Sequence, residues 1–150
     1  MPVLAENKGV GTKYEILEKC QAGLSLEGQE VKAIRNHKAT LRGSFVKIID
    51  GEAFWVGGNI APYQAANVPK TYRQDRPRKL LLRKPELSRL IGKNQEKGLT
   101  LIPLSLYTKG AWIKMELAVA KGLKKHDKRE KIKEREFERR RRRLEGRKGG

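Results

Sequence analysis

Few residues in this chain have the types and spacing that catalysis or metal binding needs. It has two histidines, His37 and His126, and one cysteine, Cys20, so no Cys/His set for a metal ion can be assembled. Gly57–Gly58 lacks the following Lys-Ser/Thr of a phosphate-binding loop, and Gly43–Phe45 leads into a predicted strand rather than the helix that follows a nucleophile elbow. Most carboxylates are interleaved with Lys and Arg, which favours ordinary ion pairing. The sequence therefore predicts a protein that is not an enzyme and has no catalytic residue, metal or cofactor.

Basic residues dominate the polar composition. The chain has 35 Lys and Arg against 17 Asp and Glu, a net charge of +18 and a pI near 10.3. Such a surface favours a polyanionic partner, with nucleic acid as the first candidate and an acidic membrane surface as the second. No apolar run approaches the ~20 residues of a membrane-spanning helix, and the first residues do not resemble a signal peptide. With a single cysteine, which fits a reducing compartment, we expect a cytoplasmic protein with no membrane partner.

Half of the net charge lies in the last thirty residues. Residues 121–150 contain 15 Lys and Arg and 6 Asp and Glu, a net charge of +9. A segment this polar buries too little apolar surface to offset its ordering entropy, so we expect it to be disordered in the free protein. Glutamates placed four residues before arginines favour a helix once a polyanion screens the arginine run. The alternative is a solvated basic tail without a specific role.

A second group of basic residues lies in the middle of the chain. Arg76, Arg78 and Lys79 cluster in a loop-rich stretch rather than alternating with acids, so we expect them to contact phosphates. Four aromatic residues could stack on nucleic-acid bases: Tyr63, Tyr72, Tyr107 and Trp112. For Tyr107 and Trp112, packing inside the fold is an equally good interpretation.

Short stretches of alternating hydrophobic residues predict about six strands, mostly antiparallel. The clearest hairpin spans Ser44 to Val56, because its Asp50–Gly51 pair suits a type I′ turn. From Trp112 to Val119 the apolar residues alternate cleanly with the others, which predicts one buried face. The remaining predicted elements are strands at Tyr14–Leu26 (with a bulge or bend at Ala22–Gly23), Lys79–Arg83 and Leu99–Tyr107 (bent at Pro103), and helices at Gly28–Arg35 and Lys84–Lys97.

These elements favour a mainly β fold in residues 1–120, followed by the basic tail of residues 121–150. Short strands must bury one face, and closing the sheet removes its edges. We therefore expect a small barrel of about six strands with two to three helices, one of them covering an end. A two-layer α+β sandwich is the alternative. Residues 1–13 contain two glycines and are predicted to be a flexible leader.

Several segments together resemble the SmpB family, the bacterial SsrA-binding proteins of trans-translation. The resemblance covers nearly the whole chain, in order. The matching segments are Gln21–Arg35, Gly43–Phe45, Gly51–Glu52, Asn59–Tyr63, Arg78–Leu82, Lys97–Tyr107 and Ala120–Glu130.

The resemblance implies an OB-like barrel, closed or partly open, and an RNA-binding function. The family binds the tRNA-like domain of transfer-messenger RNA and delivers it to stalled ribosomes. The tail then engages the small-subunit decoding centre and the mRNA channel. The resemblance also implies a monomer that acts with elongation factor Tu on the RNA.

It further implies two sets of site residues in this chain. The resemblance places RNA contacts at Asn7, Gln21, Leu81 and Lys114, and we expect Lys8, next to Asn7, to contact the RNA as well. Gln21 departs from the glutamate usual in the family, and the stretch before Tyr14 lacks the family's additional Arg and His. The resemblance places ribosome contacts at the start of the tail, at His126, Asp127, Lys128 and Arg129. Further ribosome contacts are expected from other basic residues of the tail: Lys124, Arg139, Arg140, Arg141, Arg142 and Arg143.

Two other classes of protein compete with this interpretation. A basic nuclease without a metal would need a pair of histidines, or an equivalent, near a lysine, and this sequence does not supply one. A structural ribosomal protein has a similar composition, so charge and length alone do not separate it from an RNA-delivery factor.

Overall fold

The computed structural model describes residues 2–123 and 132–142. Within the first range, nine strands and three α-helices follow one another along the chain. Residues 132–142 form a further helix. The bounds are β1 Val3–Glu6, α1 Val10–Lys13, β2 Tyr14–Leu24, α2 Gly28–Arg35, β3 Ala39–Thr40, β4 Phe45–Ile49, β5 Glu52–Val56, β6 Asn59–Ile60, a 3-10 turn at Ala65–Asn67, β7 Arg78–Leu81, α3 Lys84–Gln95, β8 Leu99–Lys109 and β9 Trp112–Gly122.

Local sequence signals account for several of these bounds. Asp50 and Gly51 have φ values of 51° and 76°, the two positive values that a type I′ turn requires, so the predicted β4–β5 hairpin is confirmed. Helix α2 has the predicted bounds and begins with a capping box, in which Glu27 and Glu30 each accept a hydrogen bond from the other's amide. Pro85 lies in the first turn of α3, as expected from its lack of an amide donor.

Six strands close into a ring. They pair antiparallel in the order β8–β4–β5–β7–β2–β9, and β9 pairs with β8 again over ten residue pairs. Strand β1 adds to β8 outside this ring, while β3 and β6 form a separate two-stranded sheet. The prediction of a mainly β fold closed by about six strands is confirmed.

The core fills the inside of the ring. Met115, Leu117 and Trp55 are almost completely buried there, and the predicted inward face of β9 is confirmed. Helix α2 contributes Ala33 and Ile34, and α3 contributes Leu90. A second, smaller cluster lies on the opposite face of β8 and β9 and consists of Ile102, Ala118 and Ala120, packed against Val10, Tyr14, Ile16, Phe45 and Leu104.

Two local predictions were wrong. The predicted flexible leader is wrong for residues 2–13, because β1 pairs with the edge of β8 that β4 leaves open and Val10 covers the smaller cluster. The irregularity in β2 lies between Ile16 and Glu18 rather than at Ala22–Gly23, whose pairing with β9 is regular. The predicted bend near Pro103 is confirmed by a register shift between Pro103 and Ser105.

Candidate RNA-binding face

Three neighbouring strands place two of the predicted RNA contacts side by side. Gly23 of β2 lies opposite Leu81 of β7 on one side and opposite Lys114 of β9 on the other. Directly opposed residues in antiparallel strands share a face, so the three form one row across the sheet. A Cβ at Gly23 would lie 3.3 Å from the Leu81 Cβ and 3.7 Å from the Lys114 Nζ. The glycine therefore gives the two flanking side chains room to approach each other, and Leu81 is 52% exposed.

The next row of the same face contains Gln21. Gln21 lies opposite Glu116 of β9, which in turn lies opposite Ser105 of β8. These residues line a shallow groove of about 570 Å³, and Asn7 and Lys8 line it from the segment that follows β1. The structure therefore brings these five predicted RNA contacts to one side of the sheet.

Asn7 is held in place by strand β8. Its backbone amide donates to the Leu104 carbonyl at 2.8 Å, and its Nδ2 donates to the Pro103 carbonyl at 2.8 Å. The bulge at Pro103 turns these carbonyls toward Asn7, which lies 96 residues away in the chain. The side-chain oxygen of Asn7 accepts no hydrogen bond within residues 2–123 and 132–142, so it is available to a ligand in the groove.

Glu116 gives a physical reason for glutamine at position 21. A glutamate there would lie directly opposite the Glu116 carboxylate, and like charges in such a pair are destabilising. Glutamine avoids this repulsion and still offers one acceptor and two donors. Lys19 partly balances Glu116, with Nζ 3.9 Å from its Oε1. The groove thus keeps hydrogen-bonding capacity at position 21 with less negative charge.

The aromatic candidates fall into different environments. Trp112 is 73% exposed and shares its face of β9 with Lys114, two residues further along, so the packing interpretation is wrong for Trp112. Tyr107 is only 6% exposed, so base stacking is excluded for it in this fold. Burial, together with the nearby Glu116 charge, raises the pKa of Tyr107. Tyr63 packs against the core, and the Tyr72 hydroxyl oxygen lies 3.1 Å from Glu30 Oε2 and 3.0 Å from the Ile60 carbonyl, so its single proton is shared between these two acceptors.

The three members of the predicted phosphate cluster differ in exposure, and Arg78 requires a correction. Arg78 is fully buried, with Nε and Nη2 at 3.0 and 2.7 Å from Glu30 Oε2 and its guanidinium 5.5 Å from the centre of the Trp55 ring. It therefore faces the core and does not offer a contact to phosphate. Alternation along β7 is the reason, since Arg78 and Leu80 point inward while Lys79 and Leu81 point outward.

The two other members of that cluster differ in availability. Arg76 also donates to Glu30 and retains 29% exposure of its side chain. The Lys79 Nζ lies 3.0 Å from Glu52 Oε1 in a pair that is about half exposed, so it can exchange this partner for a phosphate. The residue that sequence reasoning missed is Glu30, which the fold places on the buried face of α2, where it requires buried cationic partners.

The thiol of Cys20 belongs to the packing of β2. Burial, reinforced by the Glu86 charge, raises its pKa to about 11, which keeps it protonated and unreactive at neutral pH. Among residues 2–123 and 132–142, no group of His, Cys, Asp and Glu has an arrangement that could hold a metal ion. In the same residues, no helix is long and apolar enough to cross a membrane.

The tail leaves the body at the end of β9, beside the end of helix α1. Strand β9 ends at Gly122, and the Leu123 amide donates to the Lys13 carbonyl at 2.9 Å. Arg139, Arg140, Arg141 and Arg142 lie in the helix of residues 132–142, where Arg141 Nη2 is 3.0 Å from Glu138 Oε2. The remaining predicted tail contacts lie outside the described residues: Lys124, His126, Asp127, Lys128, Arg129 and Arg143.

Comparison with known proteins assigns the chain to a protein family. The model of the SmpB protein family matches residues 4–147. The SsrA-binding protein of Magnetococcus marinus is 46% identical over 142 residues, which is 95% of this chain and 94% of that protein. The SsrA-binding protein of Carboxydothermus hydrogenoformans is 48% identical over 134 residues, 89% of each chain.

A solved structure described as "tmRNA-SmpB: a journey to the center of the bacterial ribosome" has the same fold. It superposes with a TM-score of 0.67 and 41% sequence identity, over 88% of this chain and 95% of that one. The agreement of sequence and fold over almost the full length shows that this chain belongs to the SmpB family.

Proposed function

We propose that this protein binds the tRNA-like domain of transfer-messenger RNA and delivers it to stalled ribosomes for trans-translation, without catalysing a reaction itself. Membership of the SmpB family, with relatives named SsrA-binding protein, supports this function. The structural observation that carries it is the placement of Asn7, Gln21, Leu81 and Lys114 on one side of the sheet.

The exposed groups on this face suit a folded RNA. Lys114 and Lys8 supply charge for phosphates, and Gln21 supplies donors and an acceptor for ribose hydroxyls or base edges. Leu81 offers an exposed apolar contact, and Trp112 offers a flat surface for a base at the end of the β8–β9 hairpin. Arg35 fixes this hairpin by donating from Nη2 to the Ala111 carbonyl at 2.9 Å.

The basic tail has a different role in this proposal. It enters the empty mRNA channel as a helix. His126 and Asp127–Arg129 set the direction of this helix at the decoding centre, and the Arg139–Arg143 run binds ribosomal RNA. An eighteen-residue helix from Asp127 to Leu144 would be about 27 Å long, enough to extend well beyond the decoding site. The helix already seen at residues 132–142 is compatible with this role.

The remaining partners follow from the same proposal. Elongation factor Tu arrives with the RNA, and the protein acts as a monomer. Bacterial ribosomes work in the cytoplasm, so the proposal places the protein there. A structural ribosomal protein, by contrast, would be present on every ribosome rather than on stalled ones only.

Paired variants test the RNA-binding face. Leu81→Ala and Lys114→Ala are each expected to weaken binding of the isolated tRNA-like RNA about tenfold, measured by fluorescence anisotropy. The matched controls are Ile49→Ala, an exposed residue of β4, and Lys32→Ala, an exposed residue of α2. Equal effects of the control variants would contradict the assignment of this face.

A truncation tests the division between body and tail. A chain ending at Leu123 retains every strand and the Leu123–Lys13 hydrogen bond, so it is expected to bind the tRNA-like RNA like the full chain and to fail in peptide tagging on stalled ribosomes. Loss of RNA binding in this truncated chain, with its circular dichroism spectrum intact, would contradict the division.

A further inference from the structure

A small basic cavity lies at the edge of the RNA-binding face. Its volume is about 90 Å³, and three basic side chains from separate segments line it, Lys8, Lys13 and Arg42. The other residues lining it are Asn7, Val10, Tyr14, Gly43, Ser44, Phe45 and Ile102. Liquid water occupies about 30 Å³ per molecule, so the cavity has room for a few waters or for one compact anionic group.

The backbone that carries these cations is well fixed. Lys13 lies in α1, whose first turn is tied by two hydrogen bonds from Thr12 to the Gly9 carbonyl. Arg42 lies in the turn before β4, where the Ser44 hydroxyl donates to the Leu41 carbonyl and accepts from the Trp55 Nε1 at 2.9 Å. The backbone positions of Lys13 and Arg42 are therefore fixed on either side of the cavity before a ligand arrives.

No acid balances the charge of this cavity. Within residues 2–123 and 132–142, Lys8, Lys13 and Arg42 form no ion pair, and no carboxylate lines the cavity. Elsewhere on the body, lysines and arginines do find acidic partners, as in the pairs Lys79–Glu52 and Arg89–Glu18. Three neighbouring cations repel one another unless an anion lies between them.

We propose that Lys8, Lys13 and Arg42 form a phosphate-binding site for the backbone of the same tRNA-like RNA. This inference rests on the proposed function and extends its binding surface. Asn7, Lys8 and Val10 line both this cavity and the larger groove, so an RNA strand that occupies the groove continues directly into the site. The Leu123–Lys13 hydrogen bond places the start of the tail beside it, so a phosphate there also screens the repulsion between body and tail.

The test compares charge removal at the cavity with charge removal elsewhere. The cavity variant is the double variant Lys13→Gln/Arg42→Gln, which loses two positive charges. The control variant Lys32→Gln/Lys47→Gln also loses two positive charges, but it changes exposed residues that do not line the cavity or the groove. Binding of the tRNA-like RNA is measured from low to high salt. The cavity variant is expected to bind about five- to tenfold more weakly at about 0.1 M salt and to reduce the slope of log K against log salt by about one. The control variant is expected to reduce this slope by less than half as much as the cavity variant does.

Two further measurements make the result specific. Lys13→Arg/Arg42→Lys keeps both charges and is expected to retain most of the affinity. Equal salt slopes for the cavity and control variants would overturn the proposal. It would also be overturned if the cavity variant kept its affinity for the tRNA-like RNA but lost affinity for the ribosome, because the site would then contact ribosomal RNA. If the unmodified protein failed to prefer the tRNA-like RNA over an unrelated RNA of equal length, the proposed function itself would fail, which is a separate outcome.

Discussion

Replacing Glu30 with Gln tests whether the buried ion pair between α2 and β7 holds the body together. Glu30 and Arg78 are both fully buried, and the Glu30 carboxylate also accepts hydrogen bonds from Arg76, Tyr72 and the Glu27 amide. Glu30→Gln keeps the shape of the side chain but leaves the Arg78 charge buried without its counter-ion. Breaking a buried pair in this way costs about 3–5 kcal/mol.

That loss is a large part of the free energy of unfolding of a domain this size, which is about 5–15 kcal/mol. At about 3–5 °C per kcal/mol, the midpoint of thermal unfolding is expected to fall by about 10–20 °C. The control is Glu52→Gln, which breaks the half-exposed pair with Lys79 and is expected to cost less than about 1 kcal/mol. The assays are thermal unfolding and urea unfolding of both variants, each followed by circular dichroism.

The pH dependence supplies an independent check. Burial alone would raise the pKa of Glu30, but hydrogen bonds from the Glu27 amide, Arg76 and Arg78 outweigh it and lower that pKa below its ordinary value of 4.5. A lowered pKa contributes stability that is present above the unfolded-state value and is lost as pH falls through the folded-state value. The stability difference between the unmodified protein and Glu30→Gln should therefore be constant near neutral pH and shrink below about pH 4.5.

A loss of less than about 1 kcal/mol for Glu30→Gln would refute this reasoning, because it would mean that water reaches Arg78 in the variant. The double variant Glu30→Gln/Arg78→Met separates the two explanations. Removing both charges is expected to recover much of the lost stability if the unpaired arginine is the cause. No recovery would assign the loss to packing instead.

Three further predictions concern the core and the proposed interface. Gly58→Ala places a Cβ 2.0 Å from the buried Trp55 ring and is expected to cost about 3 kcal/mol in urea unfolding, whereas Gly92→Ala, in the open on α3, is expected to add about 0.5–1 kcal/mol. Trp112→Leu keeps an exposed apolar side chain but removes the ring, so it is expected to weaken RNA binding about as much as Trp112→Ala; full binding by the Leu variant would rule out base stacking. Lys79→Ala is expected to lower the salt slope of RNA binding by up to about one, and an unchanged slope would show that Lys79 does not contact phosphate.

Local patterns were sufficient to predict much of the fold. The positive φ values at Asp50 and Gly51, the capped start of α2 and the alternation along β9 each depend on residues close together in sequence. The same holds for the excess of basic residues, which predicted a polyanionic partner from composition alone. The family resemblance added the site positions, and it did so without any information about where they lie in space.

Contacts between distant segments decided the remainder. Arg78 is a core residue because Glu30, 48 residues earlier, is buried against it, and neither stretch of sequence indicates this alone. Residues 2–13 are ordered because β8, nearly one hundred residues later, offers them an open edge. Leu81 and Lys114 share a face only because both flank Gly23, and Lys13 and Arg42 line one cavity only because the ring closes. Register and ring closure depend on pairing between strands far apart in the chain, so they were settled by the free energy of the whole fold rather than by any local segment.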